Sequence, residues 1–426
     1  MRRTYKDVIV WDSSRLQANR CDVITENSTI KSILPVGSMT YGYVYEGRGK
    51  TAIIPGFANA HGHAAMTLLR GLGEELPLMD WLEKRIWPVE NNLNASFVKA
   101  GTDLAILEML STGTTCFADM YFFMDQVAKA AAEAEVRCCL ARGIVNDING
   151  DKLKENLQLA SNFNGKNKLI NVQLGPHSPY TVSFDMMKRI ADVAKENKLG
   201  VQLHWLETSS EWKISKFEGK LTPEEYLTQT GMIDVPELLL SHGVWIDKKV
   251  ASFYNRNNVT VVHNPKSNMK LGSGFTPVPE LLANGVSVAL GTDGAASNNR
   301  LDMWDEMRFA ALIHKGNKTD PTSVTAVEVL KMATINGAKA MGFEKTGLIK
   351  EGYNADMILI DLDQPQYVGW DETNLPGYIV YSGSSQDIKG TVVAGKILYD
   401  KGEFNTIDKR AVIANAIKAR KNLLGK

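Results

Sequence analysis

Eight short apolar, β-rich runs punctuate the middle of this chain, and a stretch of helical texture separates each run from the next. They read AIIPGFANAH, TTCFADM, RCCLARGI, INVQLGPH, VQLHWLE, LLLSHG, VTVVHNP and VSVALGTDG. The polar residues at or just beyond their ends are His63, Asp119, Arg142, His177, His204, His242, His263 and Asp293. These recur about every 33 residues, the length of one βα unit. The intervening segments, such as SFVKAGTDLAILEMLSTG and VSFDMMKRIADVAKENKLG, place apolar residues three and four apart and carry a glycine near the end, as helices do. Eight alternations predict an α/β fold, a closed (β/α)8 barrel over residues 53–343. No shorter repeat is visible, which excludes a solenoid.

The remaining residues lie at the two ends. DVIVW, STIKSI and YGYVYEG near the start, and NADMILIDLD and IKGTVVAGKILYDKGEF near the finish, alternate apolar and polar residues between turns. Neither end is long enough to bury a core alone. Residues 1–52 and 344–426 are therefore expected to pair into one small β-sandwich domain beside the barrel.

Lysine plus arginine and aspartate plus glutamate both number 48, so the chain lacks the broad basic field of a nucleic-acid binder. No apolar run approaches the ~18 residues needed to cross a bilayer, and the basic start MRRTYKDVIVW lacks the apolar stretch of a signal peptide. The four cysteines, Cys21, Cys116, Cys138 and Cys139, form no C-x-x-C pair or disulfide framework, which fits a reducing compartment. The expectation is a cytoplasmic protein with a small-molecule partner, no nucleic-acid partner and no membrane partner; the N-x-S/T triplets are then chance matches. A homo-oligomer is compatible with this sequence, which does not set the oligomeric state.

Six of the seven histidines fall at expected C-terminal strand ends, where barrel enzymes place their sites; only His314 does not. A lone histidine is as often structural as functional, but the joint placement points to a cluster. His61 and His63 are two apart on a strand and so face the same side. His204 ends the fifth strand, and Asp293 ends the eighth, adjacent to the first in a closed barrel. Three imidazoles and one carboxylate suit a borderline divalent ion such as zinc, with room for a water.

PGFANAHGH, HWLET, SHG, HNPKSN and LGTDG resemble the metal-site signatures of the amidohydrolase superfamily, and the likeness extends over nearly the whole chain. HAAMTLLRGLGEELPLMDWLE, PVE, GTTCFADMYF, ARG, GPHSPYT and GYNADMILID are further similar to the 5-methylthioadenosine/S-adenosylhomocysteine deaminase family. The resemblance implies a metal-dependent barrel with a β-sandwich, and His61, His63, His204 and Asp293 as ligands of one Zn2+ per chain, Fe2+ being another ion this donor set accepts. Strand 4 ends QLGPHSPY without the lysine that bridges two metals in some subgroups, so a mononuclear site is expected. By the same resemblance Glu207 protonates the purine ring nitrogen, Asp293 moves the proton of the attacking water to the departing ammonia, and His242 orients the attacking oxygen. Glu90 matches a ribose-binding glutamate, Arg142 and His177 match contacts to the sugar or its 5′ substituent, and Lys152 stands where an arginine is usual. His263 either meets the purine or orders the HNPKSN loop.

The implied reaction is hydrolytic deamination of adenine nucleosides with a 5′ thioether, namely 5′-methylthioadenosine or S-adenosylhomocysteine, with adenosine and 5′-deoxyadenosine as related substrates. The alternative is a deaminase of guanine, a triazine or another free base. A metal-free scaffold is disfavoured because all four ligand positions and Glu207 are filled. The H-x-E and P-C-x-x-C signature of the cytidine-type zinc deaminases is absent. GRGKT at Gly47–Thr51 lacks the first glycine of a phosphate loop and reads as a turn. Asp119 is read as structural, and Met79, Trp81 and Trp87 as core, with an apolar ligand wall as the alternative.

Overall fold

The computed structural model describes residues 1–12, 16–211 and 221–425. Among them the strands are β1 (Arg2–Asp12), β2 (Gln17–Glu26), β3 (Thr29–Leu34), β4 (Tyr43–Glu46), β5 (Thr51–Pro55), β6 (Phe57–Asn59), β7 (Thr114–Tyr121), β8 (Arg137–Ile144), β9 (Ile170–Val172), β10 (Gly175–Pro176), β11 (Val201–Trp205), β12 (Leu238–His242), β13 (Val259–His263), β14 (Ser287–Leu290), β15 (Met357–Asp361), β16 (Ile388–Val393), β17 (Lys396–Asp400) and β18 (Glu403–Phe404).

Both chain ends enter one nine-stranded sheet, in the order β18-β17-β16-β15-β5-β1-β2-β3 with β4 on β1. The antiparallel pairing of β5 with β15, from Thr51↔Asp361 to Pro55↔Met357, joins the two ends. Val8, Val10, Val23, Ile53, Met357 and Leu359 share one buried cluster of this sheet, so the alternating pattern of both ends has a common apolar face.

The strands from β6 to β14 run parallel in two sheets, β10-β8-β7-β6 with β9 on β8, and β11-β12-β13-β14. A continuous closed ladder, as the sequence suggests, is not formed by this pairing. The two sheets meet at a single bridge, Leu174↔Val201, and through Ala60 N–H donating to the Leu290 carbonyl at 2.9 Å. At this second seam, where Asp293 N also donates to the His61 carbonyl at 3.0 Å, a side chain adds to the backbone bonds: Asn59 Nδ2 donates to Thr292 Oγ1 at 2.7 Å, and Thr292 N donates to Asn59 Oδ1 at 2.9 Å.

AIIPGFANAH, read as one strand in the sequence, is divided at Gly56. β5 belongs to the outer sheet and β6 to the inner, and a Cβ on Gly56 would lie 2.1 Å from Thr115 Oγ1, so no side chain fits at the crossing. Helices Ala95–Ser111 and Phe184–Asn197 return the chain between strands. Asn94 Oδ1 accepts from Ser96 N and Phe97 N to cap the first, and Ser183 caps the second at Met186 N. β11, β12 and β13 are buried along their whole lengths, as parallel strands covered on both faces should be. No helix among the described residues is long and apolar enough to cross a membrane, and all four cysteines are buried free thiols.

Candidate active site

The C-terminal ends of the parallel strands bring four imidazoles and one carboxylate together. His61 and His63 follow β6, His204 lies in β11, His242 ends β12, and Asp293 follows β14. Two overlapping groups, His61–His204–His242 and His61–His63–Asp293, each hold ligand-type atoms within 4.8 Å of one another. His63 Nε2 is 3.3 Å from Asp293 Oδ1 and 3.3 Å from His204 Nε2, and His61 Nε2 is 3.6 Å from Asp293 Oδ1.

The outer atoms of the rings are tied to different partners. Nδ1 of His63 donates to the Met120 carbonyl at 2.6 Å, and Nδ1 of His204 to the His177 carbonyl at 2.8 Å. A carbonyl only accepts, so these rings carry a proton on Nδ1 and direct Nε2 inward, the atom that binds a cation in place of a proton. His242 differs: its Nδ1 faces Asn268 Nδ2 at 2.9 Å, an amide donor, which leaves the proton on Nε2. Asp293 is held from outside by Gly294 N at 2.7 Å, Ser267 Oγ at 2.6 Å and Ser297 Oγ at 3.0 Å.

His61 is fully buried, yet among the described residues neither of its ring nitrogens has a hydrogen-bond partner. An orphaned imidazole of this kind calls for a ligand, and a divalent cation between it, His63, His204 and Asp293 supplies one. The residues therefore fit a metal. Burial, aided by neighbouring histidines, holds His61 and His204 well below the usual imidazole range. Burial also lowers His177 to about 3 and His242 to about 4. For His63 burial is outweighed by the Asp293 carboxylate, which raises it to about 9, and burial of Asp293 is in turn outweighed by the histidines, which keep it well below the usual carboxylate range.

A cavity of about 620 Å³ opens over this cluster. Glu207, Tyr121, Glu90, Lys152 and His177 line it, with Trp81, Ile86, Trp87, Phe122 and Phe123 forming an apolar wall. Trp81 and Trp87 thus border the ligand space, the alternative to a purely core role. Glu207 is buried, with Oε2 3.7 Å from His242 Nε2, and burial together with the charges of Asp293 and Glu211 pushes its carboxyl well above the usual range. Tyr121 donates its hydroxyl to Glu90 Oε1 at 2.5 Å, and Lys152 donates Nζ to the Val145 carbonyl.

Two residues expected to touch substrate are directed elsewhere. The Arg142 guanidinium pairs with Glu155 at 2.7 Å and sits 5.4 Å from the Phe122 ring centre, so it lies behind the wall rather than in the cavity lining. His263 is buried away from the cavity: its Nδ1 meets Thr276 Oγ1 at 2.9 Å, and its Nε2 meets His314 Nε2 at 3.3 Å. Thr276 passes the contact on by donating to the His242 carbonyl at 2.7 Å, so His263 orders the segment behind His242. Asp119 Oδ1 accepts from Ala64 N at 3.1 Å and braces the segment after His63, in line with a structural role. Tyr121, Ser267, Asn268 and Ser297 escaped sequence reasoning. HNPKSN contained the signal for two of them, because hydroxyl and amide side chains on a turn beside a metal motif are natural partners for its outer atoms.

The profile of the amidohydrolase family matches residues 52–398. A 5-methylthioadenosine/S-adenosylhomocysteine deaminase of Dictyoglomus thermophilum is 42% identical over 409 residues, 95% of this chain and 94% of that protein. A 5′-deoxyadenosine deaminase of Methanopyrus kandleri is 41% identical over 378 residues, 88% and 87% of the two chains. Among solved structures, an adenosine deaminase of Xanthomonas campestris with bound zinc superposes with a TM-score of 0.94 at 31% identity, covering 100% of this chain and 99% of that one. A triazine hydrolase of Arthrobacter aurescens shares the fold at a TM-score of 0.90 and 21% identity, with 98% and 99% covered. With the family profile spanning most of its length and a histidine-rich metal cluster at the strand ends, the chain belongs to the amidohydrolase family, whose members are metal-dependent.

Proposed function

We propose that this protein is a zinc-dependent hydrolytic deaminase that converts adenine nucleosides with a 5′ thioether or 5′-deoxy group to the inosine analogues and ammonia. The observation that carries this reading is Glu207, a buried carboxyl that burial pushes well above the usual carboxylate range, set at the wall of the same cavity as the metal cluster. Relatives at 41–42% identity named for these nucleosides support the substrate class. On this reading the two parallel sheets are halves of one (β/α)8 barrel over 53–343, and the paired ends, 1–52 and 344–426, form a β-sandwich domain.

His61, His63, His204 and Asp293 would hold the metal. When bound, the ion supplies Lewis acidity that makes water nucleophilic near neutral pH. Glu207 donates its proton to N1 of the purine, which drains electron density from C6 and prepares it for attack. Asp293 takes a proton from the attacking water, and His242 donates from Nε2 to the incoming oxygen and holds its growing charge. The proton then passes from Asp293 to the 6-amino group, which leaves as ammonia, while the remaining proton of the added oxygen returns to Glu207, so that the product keeps N1–H and a C6 carbonyl. Glu90 accepts from the ribose, and the tryptophan and phenylalanine wall takes the apolar 5′ group.

Ammonia release measured across methylthioadenosine, S-adenosylhomocysteine, 5′-deoxyadenosine, adenosine and guanine, with metal content determined alongside, tests this reading. Thioether or 5′-deoxy nucleosides should be preferred, with about one zinc per chain. Preference for guanine overturns it. His63→Ala should lose metal and activity together, and a variant that keeps both removes His63 from the ligand set.

A further inference from the structure

Glu211 is a buried carboxylate that the proposed reaction does not use. It is 2% exposed, and among the described residues no lysine, arginine or histidine pairs with it. Its partners are backbone amides: Oε1 accepts from Leu206 N at 2.9 Å and Oε2 from Glu207 N at 2.6 Å. Its own amide donates to the Thr208 carbonyl at 3.2 Å, which closes the turn between the two glutamates.

The backbone it grips is unusual. Leu206 has a φ of 49°, the left-handed region that a leucine seldom occupies, and this single reversal turns the chain out of β11 so that Glu207 meets the cavity. The Leu206 carbonyl is fixed on its other side by Trp245 N at 2.9 Å. Without Glu211 the two amides would lose their acceptors in a buried place, and the turn would relax toward an ordinary conformation.

Resting on Glu207 as the acid of the proposed deamination, we infer that Glu211 is its positioning residue, a carboxylate that aims the Glu207 side chain by holding the Leu206 and Glu207 amides. Glutamate is required because both oxygens must accept. A glutamine at 211 would set an NH2 group against one of the two N–H donors and turn the segment.

The test compares Glu207→Gln, Glu211→Gln and the double variant as metal-loaded full-length enzymes with methylthioadenosine. A misplacement of about 1 Å costs on the order of 100-fold, so Glu211→Gln should lower kcat by about 10- to 100-fold. KM should stay within about twofold and metal content should equal wild type, because no interaction that binds both ground and transition states is removed. In the Glu207→Gln background, Glu211→Gln should lower the residual rate by less than about twofold, since a residue acting through another has nothing left to position. Should Glu211→Gln fail to fold, Glu211→Asp, which keeps the charge but is one methylene shorter, enters the same cycle with the same expected pattern. A kcat for the Glu211 variant within about twofold of wild type, a parallel loss of metal, or an undiminished loss in the Glu207→Gln background overturns the inference alone. Wild-type turnover of Glu207→Gln overturns the acid role and the inference with it.

Discussion

The two ends of the parallel strands handle buried polar groups in opposite ways. At the start of β8, Arg137 and Asp356 form an ion pair at 2.8 Å with side chains 3% and 0% exposed. Every side of it is satisfied: Arg137 also donates to the Lys168 carbonyl at 2.6 Å, and Asp356 accepts from Ala394 N at 2.7 Å. The pair ties β8 to the sheet built from the chain ends. At the other end of the strands, both nitrogens of His61 lack a partner among the described residues, and Leu206, His242 and Asp293 take left-handed φ values of 49°, 76° and 62° at three strand ends. The ion pair closes its own hydrogen bonds and joins two parts of the molecule; the ring of His61 leaves its nitrogens open beside strained backbone, where a ligand would complete them.

Perturbing the two ends should therefore separate chemistry from stability. The largest effect is expected at the open end: Glu207→Gln should lower kcat by about 100- to 10,000-fold while the variant keeps its metal and melting temperature, as steady-state rates, elemental analysis and thermal unfolding will show. At the closed end, Asp356→Ala leaves a buried guanidinium unpaired and should destabilise the fold by about 3–5 kcal/mol in denaturant unfolding, with kcat per folded molecule unchanged. A fall in kcat for folded Asp356→Ala would break the comparison.

Smaller effects sharpen the open end. Glu90 already accepts from Tyr121 through Oε1, so a ribose has mainly Oε2 to use. A 2′-deoxy substrate then forfeits a hydrogen bond to a charged group, about 1.5–3 kcal/mol, and should lose about 10- to 100-fold in kcat/KM, nearer the lower figure because Tyr121 still pairs with the carboxylate. The smallest effect belongs to Lys152, an ammonium in the cavity lining. Lys152→Ala should lower kcat/KM for S-adenosylhomocysteine about two- to fivefold more than for methylthioadenosine, and equal losses would mean that it does not read the substrate carboxylate.

His61, His63, His204 and Asp293 were legible because strand ends follow from a one-dimensional pattern: an apolar run stops at a polar residue, and the next such stop comes about 33 residues later. Glu207 was legible through its offset from His204. The substrate contacts that the resemblance implies for Arg142, and one of the two readings of His263, are not matched by the directions of these side chains. His263 ends its strand as His242 does, and Arg142 lies near the end of β8, but His263 turns to His314, 51 residues away on the helix Met303–Lys318, and Arg142 turns to Glu155 on the helix Asp151–Phe163. Side-chain direction at a strand end depends on which distant group offers a hydrogen bond or a charge, and spacing along the chain does not encode that.

The sequence by itself determined the alternation of strands and helices, the β character of both ends and the residue types gathered at the strand ends, because periodicity and local propensity act over a few residues. Only the tertiary structure decided that the chain switches sheets at Gly56, that Asn59 and Thr292 bridge a seam, that His242 accepts at Nδ1 while His63 and His204 donate from Nδ1 and direct Nε2 inward, and that Glu211 accepts from the Leu206 and Glu207 amides. Each of these outcomes depends on a hydrogen bond or a steric limit imposed in three dimensions, most of them by residues remote in the chain, and only packing brings those groups within reach.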